Sequence, residues 1–171
     1  AESSATRALI LDATEQLMRD EGYAAVSTRR VAAQAGLKPS LVHYYFLTTD
    51  DLLLALFRKG AEQSDAMIDD ALESDDPLRA LWDYFADASR TAISIEFIAL
   101  ANHRKAIRAE MAAHSERMRA RQVEALTRLL GKDFAWPGGC PPAGLTVVLA
   151  GIGRALIMEG GLGVTTVHAE A

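Results

Sequence analysis

Cysteine is almost absent: Cys140 stands alone. That excludes an intrachain disulfide and any zinc site built from several thiolates. Cys140 lies in a Pro/Gly-rich stretch with no base beside it, so nothing in the sequence activates it as a nucleophile. Proline is scarce too, with five in 171 residues, and β-branched clusters are few, while half the residues are hydrophobic and Ala and Leu dominate. This composition favours an all-α protein. No apolar run is expected to reach the length of a membrane span, and no signal peptide is apparent. A cytoplasmic location with no membrane partner is therefore expected. The chain opens on Ala1 rather than Met, which reads as a trimmed or processed start. Nucleophile motifs, phosphate loops and dinucleotide fingerprints are missing as well, so no enzyme, cofactor or metal is implied. Positive charge is also lacking overall. The net charge is −5, which by itself argues against nucleic acid.

The distribution of charge answers that objection. Residues 1–48 hold five basic and five acidic side chains, and residues 49–171 hold thirteen and eighteen. From Val26 to Thr49 the only charged residues are Arg29, Arg30 and Lys38. Such a local surplus of cations suits phosphate binding. The same stretch reads as two short helices around a tight turn. Val31, Ala32 and Ala35 build the first. Gly36 ends it where a left-handed backbone is usual, and Leu37 pins the turn. A second helix runs from Ser40 to Phe46. Ser27 is the expected N-cap of the first, accepting from the amide of Arg29 or Arg30. This is the layout of a helix-turn-helix, whose second helix enters a DNA major groove. If Leu37, Val42, Tyr45 and Phe46 pack inward, then Pro39, Ser40, Leu41, His43 and Tyr44 project outward. Ser40 and Tyr44 can donate to bases or phosphates, and Leu41 suits a thymine methyl.

These residues resemble the TetR family of repressors. The matching pieces are Ser27, Val31-Ala32, Ala35-Gly36-Leu37 and His43-Tyr44-Tyr45-Phe46. The resemblance covers roughly the first fifty residues; beyond them it is one of length and helical architecture. It implies a three-helix DNA-binding head over residues 1–48 and a helical effector-binding and dimerisation body over 49–171. The implied DNA-contacting set is Ser27, Thr28, Arg29, Lys38, Pro39, Ser40, Leu41, His43, Tyr44 and Thr49. Two positions depart from the family pattern. His43 stands where Tyr is usual, and Thr49 where Lys is usual; both generally touch phosphate, so the backbone grip is expected to differ.

Helical periodicity runs through the remainder. A first helix over about 4–21 has the inward stripe Leu9, Ala13, Leu17 and Met18, flanked by Ile10 and Thr14. Tyr23 and Val26 plug the head. A helix from Asp50 carries Leu52, Leu53, Leu56, Phe57, Met67, Ile68 and Leu72, with Asp50 and Asp51 at its positive end. Ser74-Asp75-Asp76-Pro77 marks a boundary, an acidic cap followed by Pro at the first helical position. Leu78, Leu81, Trp82, Phe85 and Ala88 follow, then Ile93, Ile95, Phe97, Ile98 and Leu100. A long helix over about 104–130 has the stripe Ile107, Met111, His114, Met118, Ala125 and Leu129. Gly131 to Pro142 reads as a loop containing Phe134 and Trp136. A last apolar helix spans about 143–159. The family has one more helix, but only Val164 to Ala171 remain, so that helix is expected to be truncated.

Trp82, Phe85, Phe97, Met111 and Met118 form stripes that suit plain core or a cavity lining. The resemblance favours the cavity, with Asn102 and His103 as polar groups reading a mainly apolar small molecule. Glu110 and His114 share a helix face at metal-ligand spacing, but no third ligand is visible, and solvated partners are the commoner case. The last helix is apolar on more than one side. It is either a central core helix or the face of a second chain. The resemblance favours a homodimer through Leu145, Val148, Leu149, Ile152 and Leu156. The combined expectation is a repressor released from a palindromic double-stranded operator by a small effector. The rival is a helical enzyme or metal-dependent sensor using the head as an interaction module.

Overall fold

Ser27 and Gly36 bracket a helix for reasons local to each. The Ser27 hydroxyl accepts from the amide of Arg30 at 3.4 Å, which satisfies one of the first-turn donors that a helix leaves open. Gly36 sits at φ 66°, and its N–H and that of Leu37 return to Ala33 and Ala32 at 3.2 and 2.8 Å. This pair of bonds is the Schellman closure. In the computed structural model, which describes residues 2–131, 139–164 and 166, the elements are all helical. They are α1 (Glu2–Glu21), a 3-10 turn (Tyr23–Ala25), α2 (Thr28–Ala35), α3 (Pro39–Tyr45), α4 (Thr49–Glu73), α5 (Pro77–Phe85), α6 (Ala88–Ala101), α7 (Lys105–Leu130) and α8 (Pro142–Gly161). No strand occurs among the described residues. Phe134, Trp136 and the tail beyond Val164, apart from residue 166, lie outside them.

The chain divides into two packing units. The first joins Ala1–Glu62 to Ile93–Met111. Its core takes Ile10, Met18, Val31, Val42 and Phe46 from the head. Leu52, Leu53 and Leu56 of α4 add to it, as do Phe97 and Leu100 of α6 and Ile107 of α7. A packing boundary at residue 48 is therefore not observed. α4 is one unbroken helix, and its first turns complete the core of the head. On α1, Ala13, Leu17 and Met18 face inward as expected, but Leu9 does not. Leu9 is 45% exposed, whereas Ile10 and Thr14 are fully buried at the centre of the inward face. Thr14 is accommodated because its hydroxyl donates to the Ile10 carbonyl at 2.7 Å.

Polar contacts bind α4 and α6 to the same unit. Lys59 reaches Asp12 at 2.6 Å and Glu15 at 3.4 Å. Burial opposes ionisation of Glu15, but the hydrogen bond from Arg19 and the charge of Lys59 outweigh it and hold that carboxyl below its ordinary range. The backbone N–H of Tyr23 donates to Glu96 Oε2 at 2.7 Å. Gly22, at φ 81°, leaves room for that carboxylate; a Cβ there would lie 3.2 Å from it.

The second unit joins Gln63–Ala92 to Ala112–Ala171. Ile68 and Ala71 of α4, Leu81 of α5, Met118 and Leu126 of α7, and Leu145 of α8 form its core. Asp76 caps α5, accepting from the amide of Arg79 at 3.1 Å, and Pro77 occupies the first turn as expected. Arg121 pairs with Asp65 at 3.1 Å and with Asp69, fixing α7 to α4. Three expected inward residues face out instead: Met67, Leu78 and Leu129 are exposed. On α7 the buried row passes through Gln122 and Leu126, which turns Leu129 away from it.

α8 corrects one expectation of the sequence. By length and composition it is apolar enough to cross a membrane. Its glycines and alanines make it less conspicuous than a leucine-rich run, and Arg154 and Glu159 interrupt it. Its inner face is set by backbone approach. A Cβ on Gly153 would stand 2.6 Å from the Phe85 carbonyl oxygen, whereas Gly151 faces open space. Gly153→Ala is therefore expected to lose about 1–3 kcal/mol by overpacking. Gly151→Ala should hold or gain up to about 1 kcal/mol from helix propensity. Urea denaturation of the two variants checks this, and equal stability would refute the close approach of α5 and α8.

Candidate nucleic-acid interface

α3 is positioned by what it buries. Val42 and Phe46 enter the core of the first unit, with Leu37 and Tyr45 half-buried against it. Arg7 lies over the Phe46 ring, 5.3 Å from its centroid. Pro39 occupies the first turn of α3, where its missing N–H costs nothing. With that face fixed, Pro39, Ser40, His43 and Tyr44 point to solvent, and Leu41 is half-buried. Tyr44 is 77% exposed. Its ring stands edge-on to Tyr45 at 5.3 Å and 88°, so the phenol is braced at its base and free at its tip.

The cations divide unequally. Arg30 pairs with Glu21 at 2.5 Å, an acid outside the acid-free stretch. Arg29 and Lys38 are exposed and have no ion-pair partner among the described residues. Within the acid-free stretch these two are the candidate phosphate contacts. Ser27 and Thr28 are half-buried at the start of α2, with Ser27 committed to its cap. Thr49 is half-buried at the start of α4.

Sequence reading missed the residue beside Thr49. Thr48 and Asp51 form a reciprocal cap on α4. The Thr48 hydroxyl accepts from the Asp51 amide at 3.0 Å, and the Thr48 amide donates to Asp51 Oδ2 at 3.0 Å. The Thr-x-x-Asp spacing carried that signal. Asp50 pairs with Arg104 at 3.2 Å, bringing together residues far apart in sequence.

The expected effector residues do not gather in one core. Phe97 and Met111 pack in the first unit, with Phe97 edge-to-face on Phe57 at 5.5 Å. Trp82 and Phe85 are half-buried on α5 and Met118 is buried on α7, all in the second unit. Asn102 and His103 are exposed in the turn between α6 and α7. Beside them Arg108 donates to the carbonyls of Ala101 and Asn102 at 3.0 and 3.1 Å, closing the end of α6. Glu110 meets Arg58 through two bonds of 3.0 and 2.9 Å, which commit its carboxylate to α4. Burial lowers the His114 pKa below its ordinary value; Asp65 opposes this, and Arg117 and Arg121 reinforce it.

On α8, Leu145 is 7% exposed and faces its own core rather than outward. Leu149 and Leu156 are half-buried. Val148 and Ile152 are exposed, one helical turn apart, with Val147 and Met158 also open.

Residues 10–56 match the family model for bacterial regulatory proteins of the tetR family. The sequence match to the TetR family thus lies in the helix-turn-helix head. Over 52 residues the chain is 36% identical to the HTH-type transcriptional regulator BetI of Rhizobium meliloti, a match covering 30% of this chain and 26% of that relative. The chain thus spans about a quarter of the length of the curated relative it matches. The fold extends further. A TetR transcription regulator from Haloarcula marismortui superposes with a TM-score of 0.74 at 22% identity, covering 91% of this chain and 87% of that one. A transcriptional regulator from Saccharomonospora viridis, solved in complex with choline, gives 0.76 at 17% identity, covering 91% and 85%.

Proposed function

We propose that this protein is a transcription regulator of the TetR family that acts as a repressor. It binds a near-palindromic duplex operator as a cytoplasmic homodimer and releases it when a small molecule binds. It is read as a regulator rather than an enzyme. The observation that carries the reading is the outward row of α3, flanked in an acid-free stretch by two cations without ion-pair partners among the described residues. Phosphate contacts would fix register, and Ser40, Leu41 and Tyr44 would read base edges. Two copies would hold their α3 helices at the separation of successive major grooves.

Release requires that the effector prefer a conformation in which that separation is wrong; the coupling equals its difference in affinity for the two states. The choline bound by the Saccharomonospora viridis relative supports a small organic effector. The part-buried Trp82 and Phe85 favour a mainly apolar one. Their own unit, which also holds Met118, is the place to look.

A gel shift against DNA upstream of the gene tests the reading, and only salt-sensitive, sequence-selective binding supports it. Lys38→Ala is expected to weaken binding to every duplex several-fold. The slope of log affinity against log salt should become shallower by roughly 0.9 for each phosphate no longer neutralised. Tyr44→Ala should instead change which sequences are preferred. If both variants bind as wild type does, α3 is not the reading helix.

A further inference from the structure

The geometry points to a second DNA-backbone contact, made by the turn between α6 and α7 through Lys105 and His103. It rests on the DNA-binding reading and enlarges the surface that reading uses.

The turn is basic and open. From Phe97 to Ala109 the charged residues are Arg104, Lys105 and Arg108, with His103 among them and no carboxylate. His103, Arg104, Lys105 and Arg108 are all exposed. Its place in the fold is fixed twice. Arg108 holds the last carbonyls of α6, and Arg104 pairs with Asp50 at 3.2 Å. Asp50 is the second residue of α4, five residues after the end of the recognition helix. The turn therefore lies against the end of α4 that adjoins α3, inside the same packing unit.

Charge gives this placement a reason. Asp50 and Asp51 put two carboxylates beside a surface meant for phosphates, and Thr49 offers no cation. Like charge there would oppose binding. Arg104 neutralises Asp50, and the Thr48 hydroxyl donates to Asp51 at 2.8 Å. Lys105 then remains as an exposed cation with no ion-pair partner among the described residues. A lysine on a four-carbon stem reaches phosphate as a point charge, which restores at this end of α4 the cation that Thr49 lacks. The ligand is the phosphodiester backbone of the duplex already held by α3.

The test uses the full chain and an operator recovered by selection from a random-sequence duplex library. Lys105→Ala should bind it several-fold more weakly, with a salt slope shallower by roughly 0.9 per phosphate released. Lys105→Arg should restore both, and His103→Lys should steepen the slope. Phosphate-ethylation interference should show a backbone position whose modification hinders wild type but not Lys105→Ala. Lys38→Ala serves as the control. If it weakens binding while Lys105→Ala matches wild type in affinity, slope and interference pattern, the turn does not touch the duplex and the proposal falls. If wild type selects no duplex, the DNA-binding reading fails, and this proposal with it.

Discussion

Phe97→Ala is expected to destabilise the fold by about 3–5 kcal/mol. Phe97 is 5% exposed and meets Phe57 edge-to-face at 5.5 Å and 69°. Such a pair adds roughly 0.5–1.5 kcal/mol beyond the burial of its area. Residues of α1, α4 and α7 share its close-packed core and relax only partly, so a cavity term adds to the lost transfer free energy. The head shares this core, and operator binding should fail along with stability as temperature rises. Urea denaturation measures the loss, with an unchanged slope confirming that the unfolded state is comparable. A loss under about 1 kcal/mol would mean that the site was never filled core, and would return Phe97 to the role of a cavity lining.

That experiment separates two roles that the sequence left open, and the difficulty has a physical origin. Features governed by neighbours along the chain were legible. Ser27 caps α2, Gly36 closes it and Asp76-Pro77 opens α5, because each satisfies donors or acceptors within a few residues. The outward row of α3 was legible as well, since the inward positions of so short a helix leave only one other face. Periodicity alone was weaker. It put Leu9 in the inward stripe of α1, but Leu9 is exposed, and the flanking Ile10 and Thr14 lie at the centre of the buried face. It also could not tell that Phe97 and Trp82 belong to different units, because an apolar stripe does not name the element it packs against.

Pairings between different helices left no local mark at all. Arg30 with Glu21, Arg104 with Asp50 and Glu96 with the amide of Tyr23 emerge only once helices are packed. The first of these changes the candidate interface directly. Of the three cations counted in the sequence, one is already engaged, which leaves Arg29 and Lys38 as the candidates for phosphate. In the candidate DNA-facing set, backbone chemistry was readable and charge compensation was not.

The apolar face of α8 carries the other large effect. Ile152→Asp is expected to shift the protein from dimer to monomer and to lower operator affinity by roughly 10²-fold or more, since linked half-site binding commonly gains 10²–10⁴. Ile152 is 40% exposed, with Val148 one turn away and Val147 and Met158 beside that stripe. A contiguous apolar surface of this kind calls for a cover. In a two-fold dimer the same patch serves both chains, so one substitution places two carboxylates in the interface. Each would lose hydration without a partner, and every 1.4 kcal/mol of that cost weakens association tenfold. Leu145→Asp provides the contrast. Leu145 is buried in its own core, so that variant should lose the folded state itself, read as a collapse of the melting transition. Sedimentation at several concentrations, paired with operator titration, reads both outcomes. A dimeric Ile152→Asp protein with wild-type operator affinity would move the interface off this face of α8, and a monomeric wild type would remove the dimer from the mechanism.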